Sequence, residues 1–284
     1  MSIADALAAT PVSSLDLTRF VAVPVDASVA ATVESMCDAG RSCACIVDGP
    51  VLVGIFTQRD ALLRVIGRPS TWDRPIAEVM TKQVRTMLDA QCVSDGLAIM
   101  NDWWVRSVPV LDADEQLVGN LSFHTVMATI GKLVAARIGE TANEPGVEHG
   151  LTFIDFTGLN TSPPVVVGMD DTIETAAHHM KARGIGSALA VDDREHLVGV
   201  LTEFDLQMRI GCDRADLSNV AVKEVMTRDP VTLSTRAPIA DAIREVIEHQ
   251  FSYVPLVGES GRPVGVASFR DIATYVETSL EALG

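Results

Sequence analysis

Val198-Gly199-Val200-Leu201-Thr202 is one of four copies of a short motif that recurs along this chain of 284 residues. Each copy contains Val-Gly and ends in Thr or Ser. Repetition on this scale indicates a repeat architecture in which each copy marks one structural unit. A longer step between the second and third copies indicates two tandem pairs joined by a linker. The other copies are Val53-Gly54-Ile55-Phe56-Thr57, Val118-Gly119-Asn120-Leu121-Ser122 and Val264-Gly265-Val266-Ala267-Ser268.

The third copy shows which elements surround the motif. Apolar residues from Ile173 to Met180 recur at i, i+3, i+4 and i+7, which predicts a helix with one buried face. Two apolar runs follow, separated by Asp192-Asp193-Arg194-Glu195, which is typical of a turn between strands. A second helix is predicted to begin after the terminal Thr or Ser. Extended stretches before the first helix, at residues 84–87, 165–167 and 231–233, add one strand to each unit. The predicted unit is strand, helix, strand, strand, helix.

Composition limits the classes of function. Hydrophobic residues make up 48% of the chain, enough for two cores of ordinary size. No apolar stretch approaches the ~18 residues of a membrane span, and residues 1–10 lack the basic start of a signal peptide, so we expect a cytoplasmic protein without a membrane contact. The net charge of −16 argues against binding to nucleic acid or anionic membranes, which depends on clustered Lys and Arg. An anionic ligand would need a local site.

Neither the cysteines nor the known catalytic motifs indicate an enzyme. Cys43 and Cys45 share one face of a predicted strand, where a metal or redox pair is conceivable. Because a reducing cytosol keeps thiols free, we interpret the five cysteines as small buried hydrophobic residues instead. The chain has no Walker glycine loop, zinc-protease motif or nucleophile elbow. We therefore predict no catalytic residue, no metal site and no enzymatic activity.

The tetrad Thr/Ser-x-x-Asp, which begins at the last residue of the motif, has two interpretations. It is typical of a capping box, in which the hydroxyl and the carboxylate each bind a backbone N–H group. Three features favour a ligand site: a nearby glycine that lets a ligand approach the strand, a helix N-terminus that attracts an anion, and a carboxylate that can accept hydrogen bonds from a ribose diol. Together these features indicate a nucleotide pocket.

The repeats resemble cystathionine-β-synthase-type (CBS) domains. The resemblance rests on the Val-Gly-x-x-Thr/Ser-x-x-Asp pattern, the order of elements, and the openers Ile76-Ala77-Glu78-Val79-Met80-Thr81 and Val222-Lys223-Glu224-Val225-Met226-Thr227. Four such domains would form two Bateman modules, residues 10–135 and 150–284, with a linker at residues 136–149. The family implies an α+β fold in which the sheets of paired repeats pack face to face. It also implies clefts between repeats that bind AMP, ADP, ATP or S-adenosylmethionine.

In this family the tetrad Asp holds the ribose hydroxyls, and the Thr or Ser contacts phosphate or ribose. The second repeat departs from the pattern, because Thr125 replaces the carboxylate, so we predict that its pocket is empty or binds a different ligand. The third repeat has Glu203 beside its hydroxyl in place of a base, and Arg106 could serve a phosphate or be exposed. The candidate ligand-binding residues are Thr57, Arg59, Asp60, Thr202, Asp205, Ser268, Arg270 and Asp271, with Ser122, His124, Val108 and Thr232 as weaker candidates.

The resemblance implies a regulatory protein that senses an adenine nucleotide or S-adenosylmethionine as an effector, with no required cofactor. A ligand wedged between two repeats would favour one relative orientation and so change a surface that a protein partner reads. We expect the two modules to pack as a disc, either within one chain or through a homodimer. The alternative is a structural or oligomerisation module whose clefts stay empty and whose tetrads are only caps.

Overall fold

Small β-sheets, one for each repeat, form the framework of the protein. The computed structural model describes residues 3–140, 163–208, 218–238, 241, 244–245, 251–268 and 271. Within these ranges there are four sheets, of which three have three strands and the third repeat's has four. The fold is α+β, with the repeated order of elements that the sequence predicted. The predicted helices of the fourth repeat lie largely outside the described residues.

The first pair of repeats follows an N-terminal helix, α1 (Ile3–Ala9). The first repeat consists of β1 (Val21–Pro24), α2 (Val29–Asp38), β2 (Cys43–Asp48), β3 (Val51–Thr57) and the short helix α3 (Gln58–Asp60), which continues as a π-helical turn over Ala61–Val65. The second repeat consists of β4 (Met87–Leu88), α4 (Val93–Trp103), β5 (Ser107–Leu111), β6 (Leu117–Ser122) and α5 (Phe123–Glu140).

The second pair has the same order of elements. The third repeat consists of β7 (Val166–Gly168), α6 (Ile173–Arg183), β8 (Ser187–Val191), β9 (Leu197–Thr202) and α7 (Glu203–Leu206). A short helix, α8 (Val222–Val225), and the strand β10 (Thr227–Arg228) lead to the fourth repeat. The strands of the fourth repeat are β11 (Leu233–Ser234), β12 (Tyr253–Val257) and β13 (Pro263–Ser268).

Strand pairing is the same in each repeat. The first strand runs parallel to the middle strand, as at Val166 opposite Leu189, and the middle strand runs antiparallel to the third. The first strands begin one to three residues later than predicted, and those of the second and fourth repeats are also shorter, because only the residues opposite the middle strand find backbone partners. Met87, for example, pairs with Val110, whereas residues 84–86 do not pair. Strand β10 was not predicted; it pairs antiparallel with β9 and widens the third sheet.

The glycine of the recurring motif makes room for a methionine. A Cβ on Gly199 would overlap the thioether of Met226, and a Cβ on Gly54 would overlap that of Met80. Both methionines belong to the Val-Met-Thr openers, so the two sequence signatures pack against each other within the repeat. The interpretation that these glycines admit a ligand is therefore wrong for the first and third repeats.

We expect Gly199→Val to lower the free energy of unfolding by about 1–3 kcal/mol, because overpacking forces neighbouring side chains out of place. Urea denaturation measures the loss. Met226→Ala opens the space that the valine needs, so the double variant should lose less than the sum of the single losses. Gly258→Val is a control, since the nearest atom lies 3.4 Å from the Cβ position there. Additive losses would show that Met226 is not the obstacle.

Hydrophobic cores join repeats from different pairs. Leu62 and Ile66 of the first repeat are buried in the core of the third repeat. Val254, Leu256 and Ala267 of the fourth repeat are buried in the core of the second. The two pairs thus contact each other within one chain, with the first repeat against the third and the second against the fourth. Association of two chains stays a prediction.

Two elements extend beyond residues 10–135, which the sequence assigns to the first module. Helix α1 packs against α4 and α5, and its Leu7 is buried in the core of the second repeat. Helix α5 continues to Glu140. The division into modules 10–135 and 150–284, with a linker at 136–149, stays a prediction.

Candidate functional site

A cleft opens where the third and fourth repeats meet the first. Its volume is about 80 Å³. Residues just before β7 and at the start of β8 form one side, strands of the fourth repeat form the other, and Arg59 of the first repeat closes one end. The described lining residues are Arg59, Pro163, Pro164, Gly184, Ile185, Gly186, Ser187, Tyr253, Val266, Ser268 and Asp271.

The tetrad of the fourth repeat faces this cleft. Asp271 Oδ2 accepts hydrogen bonds from the backbone N–H and the hydroxyl of Ser268, both at 2.7 Å. Among the described residues, none donates a hydrogen bond to the other carboxylate oxygen, and Asp271 is partly exposed. The carboxylate can therefore accept further hydrogen bonds from a ligand hydroxyl. Arg270, the arginine of this tetrad, lies outside the described residues.

The tetrad of the first repeat is a closed cap. Asp60 is buried, and its Oδ2 accepts hydrogen bonds from the N–H and hydroxyl of Thr57 at 2.9 and 2.7 Å. Its Oδ1 accepts a hydrogen bond from the Thr81 hydroxyl at 2.9 Å and pairs with Arg64 at 3.0 Å. Both oxygens are thus used within the repeat, and the capping-box interpretation describes this tetrad.

The second and third tetrads also cap their helices. Asp205 is buried, and its Oδ2 accepts hydrogen bonds from the N–H and hydroxyl of Thr202 at 2.9 and 2.7 Å. In the second repeat the hydroxyls of Ser122 and Thr125 lie 2.8 Å apart, and the Thr125 N–H donates to Ser122 Oγ. A pair of hydroxyls therefore replaces the carboxylate there. His124 lies edge-on to the preceding phenylalanine ring.

The two predicted wall positions lie elsewhere. Val108 is fully buried in the core of the second repeat. Thr232 is exposed just before β11. Neither is among the described residues that line the cleft.

Glu203 is a buried carboxylate that connects the four repeats beside the cleft. The residue is 1% exposed, and Arg106 Nη2 of the second repeat donates to its Oε2 at 3.0 Å. Arg59 Nε of the first repeat lies 3.3 Å from Oε1, as an ion pair without hydrogen-bond alignment. A Cβ on Gly186 would overlap the Tyr253 hydroxyl and would lie 2.8 Å from Glu203 Cδ, so Tyr253 of the fourth repeat completes the cluster.

The charge of Arg106 is stabilised by this cluster. Burial alone disfavours a charged guanidinium, but the Tyr253 and Glu203 side chains outweigh that effect and raise the pKa of Arg106 above its ordinary value. Arg106 Cζ also lies 5.9 Å from the centroid of the Tyr253 ring, within the range of a cation–π contact. Arg106 is therefore a partner of Glu203, and neither the phosphate role nor the exposed position considered from the sequence describes its contacts.

Arg59 crosses from the first repeat to the third. Besides its contact with Glu203, its Nη1 donates a hydrogen bond to the Gly184 carbonyl at 2.8 Å. The side chain is 40% exposed. It thus lies in the same cleft as Ser268 and Asp271, although the sequence places it with Thr57 and Asp60 as a phosphate partner of its own tetrad.

Sequence reasoning missed the role of Glu203, although the repeats contain a signal for it. The residue directly after the tetrad hydroxyl is Gln58, Phe123 and Glu203 in the first three repeats, and all three are buried. A position that holds a buried phenylalanine in one repeat is a core position. A glutamate there needs a cationic partner, because an unpaired buried charge is strongly destabilising.

Comparison with known proteins identifies the family of these repeats. The family model described as CBS domain matches residues 157–211 and 222–278. The second pair of repeats belongs to the CBS-domain family. The match covers the second pair of repeats, and the first pair has the same strand order and pairing.

Relatives of this CBS-domain protein span most of its length. The CBS domain-containing protein CBSCBSPB1 of Arabidopsis thaliana is 24% identical over 280 residues, which is 90% of this chain and 51% of that protein. The meiotically up-regulated gene 70 protein of Schizosaccharomyces pombe is 24% identical over 320 residues, covering 95% of this chain and 44% of that protein. The chain therefore spans about half the length of these two curated relatives.

A solved structure has the same fold. Protein MJ1225 of Methanocaldococcus jannaschii superposes with a TM-score of 0.73 and 17% sequence identity. The similarity covers 94% of this chain and 100% of that one. It includes the arrangement of both pairs of repeats, because it extends over nearly the whole chain.

The two thiols of strand β2 in this CBS-domain protein are poorly placed to react. Cys43 and Cys45 are free and buried, and burial raises the pKa of both thiols, which keeps them protonated and poorly nucleophilic. Cys43 Sγ lies 3.3 Å from Ser107 Oγ, across the boundary between the first and second repeats. Cys92 is also free and is partly exposed, and Cys212 lies outside the described residues.

Two further kinds of site are not found in the described part of the chain. No group of three or more His, Cys, Asp or Glu side chains converges there to hold a metal ion. Within the same ranges, no helix combines the length and the apolar character that crossing a membrane requires.

Proposed function

We propose that this CBS-domain protein is a regulatory protein that senses an adenosine derivative in the cleft lined by Ser268 and Asp271. One observation carries the proposal: the cleft brings together a carboxylate, one oxygen of which accepts no hydrogen bond from the described residues, and Arg59, a cation from a different pair of repeats. A ribose offers hydroxyl donors to the carboxylate, and a phosphate offers acceptors to the guanidinium. AMP, ADP, ATP and S-adenosylmethionine are the candidate effectors, and no catalytic step is assigned.

Ser187 supports a ligand in this cleft independently. The residue lines the cleft and is buried, and its hydroxyl has no hydrogen-bond partner among the described residues. Buried polar groups are seldom left without a partner, so a polar atom of a ligand or an ordered water would satisfy it. Ile185 and Val266 line the same space and offer apolar contacts to a base.

Entry of a nucleotide requires the cleft to widen. Its volume is about 80 Å³, whereas pockets for small molecules typically measure about 300–1,000 Å³. A nucleotide would have to displace Tyr253, whose hydroxyl covers Gly186, or Arg59, which reaches the cleft from the opposite pair of repeats. A ligand that separates these walls favours one relative orientation of the two pairs, and a protein partner that distinguishes the orientations reads the signal.

A structural role is the second candidate, and the first repeat favours it locally. Asp60 uses both carboxylate oxygens within its own repeat, which leaves no acceptor for a ribose. A protein whose tetrads were all closed in this way would be an interaction module with empty clefts. Asp271 differs from Asp60 in its exposure and in its available oxygen, and it is therefore the residue that tests the two roles.

We expect Asp271→Ala to weaken binding of an adenosine derivative about 10- to 100-fold, because losing hydrogen bonds to a charged acceptor costs about 1.5–3 kcal/mol. Isothermal titration with adenosine, AMP, ADP, ATP and S-adenosylmethionine measures the affinities. Asp95→Ala is the matched control, since Asp95 accepts a hydrogen bond from the Cys92 N–H at the start of α4 and does not line the cleft. Its affinity should equal that of the wild type.

Mass spectrometry of material released from freshly purified, denatured protein identifies any ligand that copurifies. Equal affinities of Asp271→Ala and the wild type would contradict the assignment of the cleft. Protein that releases no ligand and binds none of the five compounds would favour the structural role.

A further inference from the structure

We propose that Glu203 limits the negative charge of the ligand that this cleft accepts, so that adenosine derivatives with no phosphate or one phosphate bind more tightly than a triphosphate. This inference rests on the proposed function, because it concerns the ligand of the same cleft. Glu203 makes no direct contact in the proposed binding mode. Its effect is electrostatic and acts through Arg59.

The Glu203 carboxylate lies directly behind the wall of the cleft. Its backbone N–H donates to the Gly186 carbonyl at 3.0 Å, and Gly186 lines the cleft. A Cβ on Gly186 would lie 2.9 Å from Glu203 Oε2. Only the width of a glycine therefore separates the carboxylate from the ligand space, and charges interact most strongly at such short range.

The described charges around the cleft are balanced without a ligand. Arg59 is the one cation among the described lining residues, and it already faces Glu203 at 3.3 Å. Arg106 pairs with the other oxygen of Glu203, and Asp271 adds a second carboxylate. Two guanidinium groups thus meet two carboxylates. One phosphate can share Arg59 with Glu203, but the described lining residues offer no second cation to a further phosphate. Arg183, whose Nη1 donates to the carbonyl of the lining residue Pro164 at 3.1 Å, lies outside this lining.

The fold of a repeat does not require a carboxylate at this position. The corresponding residues of the first two repeats are Gln58 and Phe123, both buried and neither charged. Gln58 shows that a glutamine side chain fits directly after the tetrad hydroxyl. Glu203→Gln is therefore a substitution for which this chain itself provides the precedent, and it removes the charge while keeping the shape.

The experiment compares the affinities of Glu203→Gln and wild-type protein for adenosine, AMP and ATP by isothermal titration. Removing one charge within several ångströms of the phosphates should tighten ATP binding at least about tenfold, while adenosine, which has no phosphate, should change less than about twofold. Glu195→Gln is the control, because it removes the same charge from an exposed pair with Arg262. It should leave all three affinities unchanged.

The inference is overturned, and the proposed function stands, if wild-type protein binds ATP at least as tightly as adenosine or if Glu203→Gln leaves the ratio of the two affinities unchanged. If no adenosine derivative binds the wild type, the proposed function fails and inorganic tripolyphosphate tests Glu203 alone. If tripolyphosphate raises the melting temperature of Glu203→Gln but not that of the wild type or of Glu195→Gln, the result supports the charge limit. Equal rises in the melting temperatures of the three proteins, or no rise in any of them, overturn the inference.

A second variant covers the case in which Glu203→Gln does not fold. Arg59 is 40% exposed, so Arg59→Gln leaves a smaller defect in the structure. Because this substitution removes the cation that Glu203 acts through, the affinity for ATP relative to adenosine should fall at least about tenfold. An unchanged ratio in Arg59→Gln would count against the inference.

Discussion

Leu62→Ala should lower the free energy of unfolding by about 2–5 kcal/mol, because it removes apolar contacts and leaves a cavity between two repeats that belong to different pairs. Leu62 is 2% exposed and lies in the core of the third repeat. Its neighbour Leu63 is 38% exposed, so Leu63→Ala should cost less than about 1 kcal/mol and is the matched control. Guanidinium denaturation, followed by circular dichroism, measures both losses.

The same measurement tests whether the pairs fold as one unit. Because Leu62 contributes to the stability of the opposite pair, the wild type should unfold in one transition, and Leu62→Ala should shift the whole of it. Two separate transitions, with Leu62→Ala affecting neither by more than Leu63→Ala does, would mean that the pairs do not depend on each other.

Arg106→Met should lower the free energy of unfolding by about 3 kcal/mol, because it leaves the buried Glu203 with Arg59 as its one cationic partner among the described residues, and that contact is poorly aligned. Arg262→Met is the control at a solvent-exposed ion pair, where the expected loss is at most about 1 kcal/mol. Thermal and chemical denaturation of the purified variants measure both.

A double variant isolates the electrostatic part of this loss. Arg106→Met together with Glu203→Gln removes the buried charge along with its partner, so it should recover part of the stability that Arg106→Met alone loses. If the double variant is less stable than Arg106→Met by the full amount that Glu203→Gln alone loses, the two losses are additive. Lost packing, rather than the unpaired charge, then accounts for the effect of Arg106→Met.

The repeat architecture and the capping role of the tetrads could be predicted because both are local. The motif Val198-Gly199-Val200-Leu201-Thr202 contains the short apolar run of a strand and the hydroxyl that begins a helix, and both are visible in a single copy. Its fourfold recurrence then gives the number of sheets. The two-residue strand β10 and the exact bounds of β4 could not be predicted, because so short a pairing depends on which backbone groups lie opposite it and leaves no periodic pattern.

The candidate site was predictable only in part. The sequence identifies Ser268 and Asp271 as a tetrad, but it assigns Arg59 to its own repeat. The cleft instead joins these residues across two pairs of repeats. Such contacts depend on how folded repeats pack against one another, and no local sequence pattern contains that information. Glu203 illustrates the difference, since its burial is visible from the register of the repeats, whereas its partners Arg59 and Arg106 are fixed only by tertiary packing.

The crosswise cores, first repeat with third and second with fourth, have a consequence for how such a gene can change. A chain that lost one repeat would leave its counterpart in the opposite half with an uncovered apolar face, and such a face favours aggregation. In a chain that gained one repeat, the apolar face of the added repeat would have no counterpart to cover it. Loss of a whole half would uncover both remaining repeats at once, and a second copy of the same half could then supply the two missing counterparts.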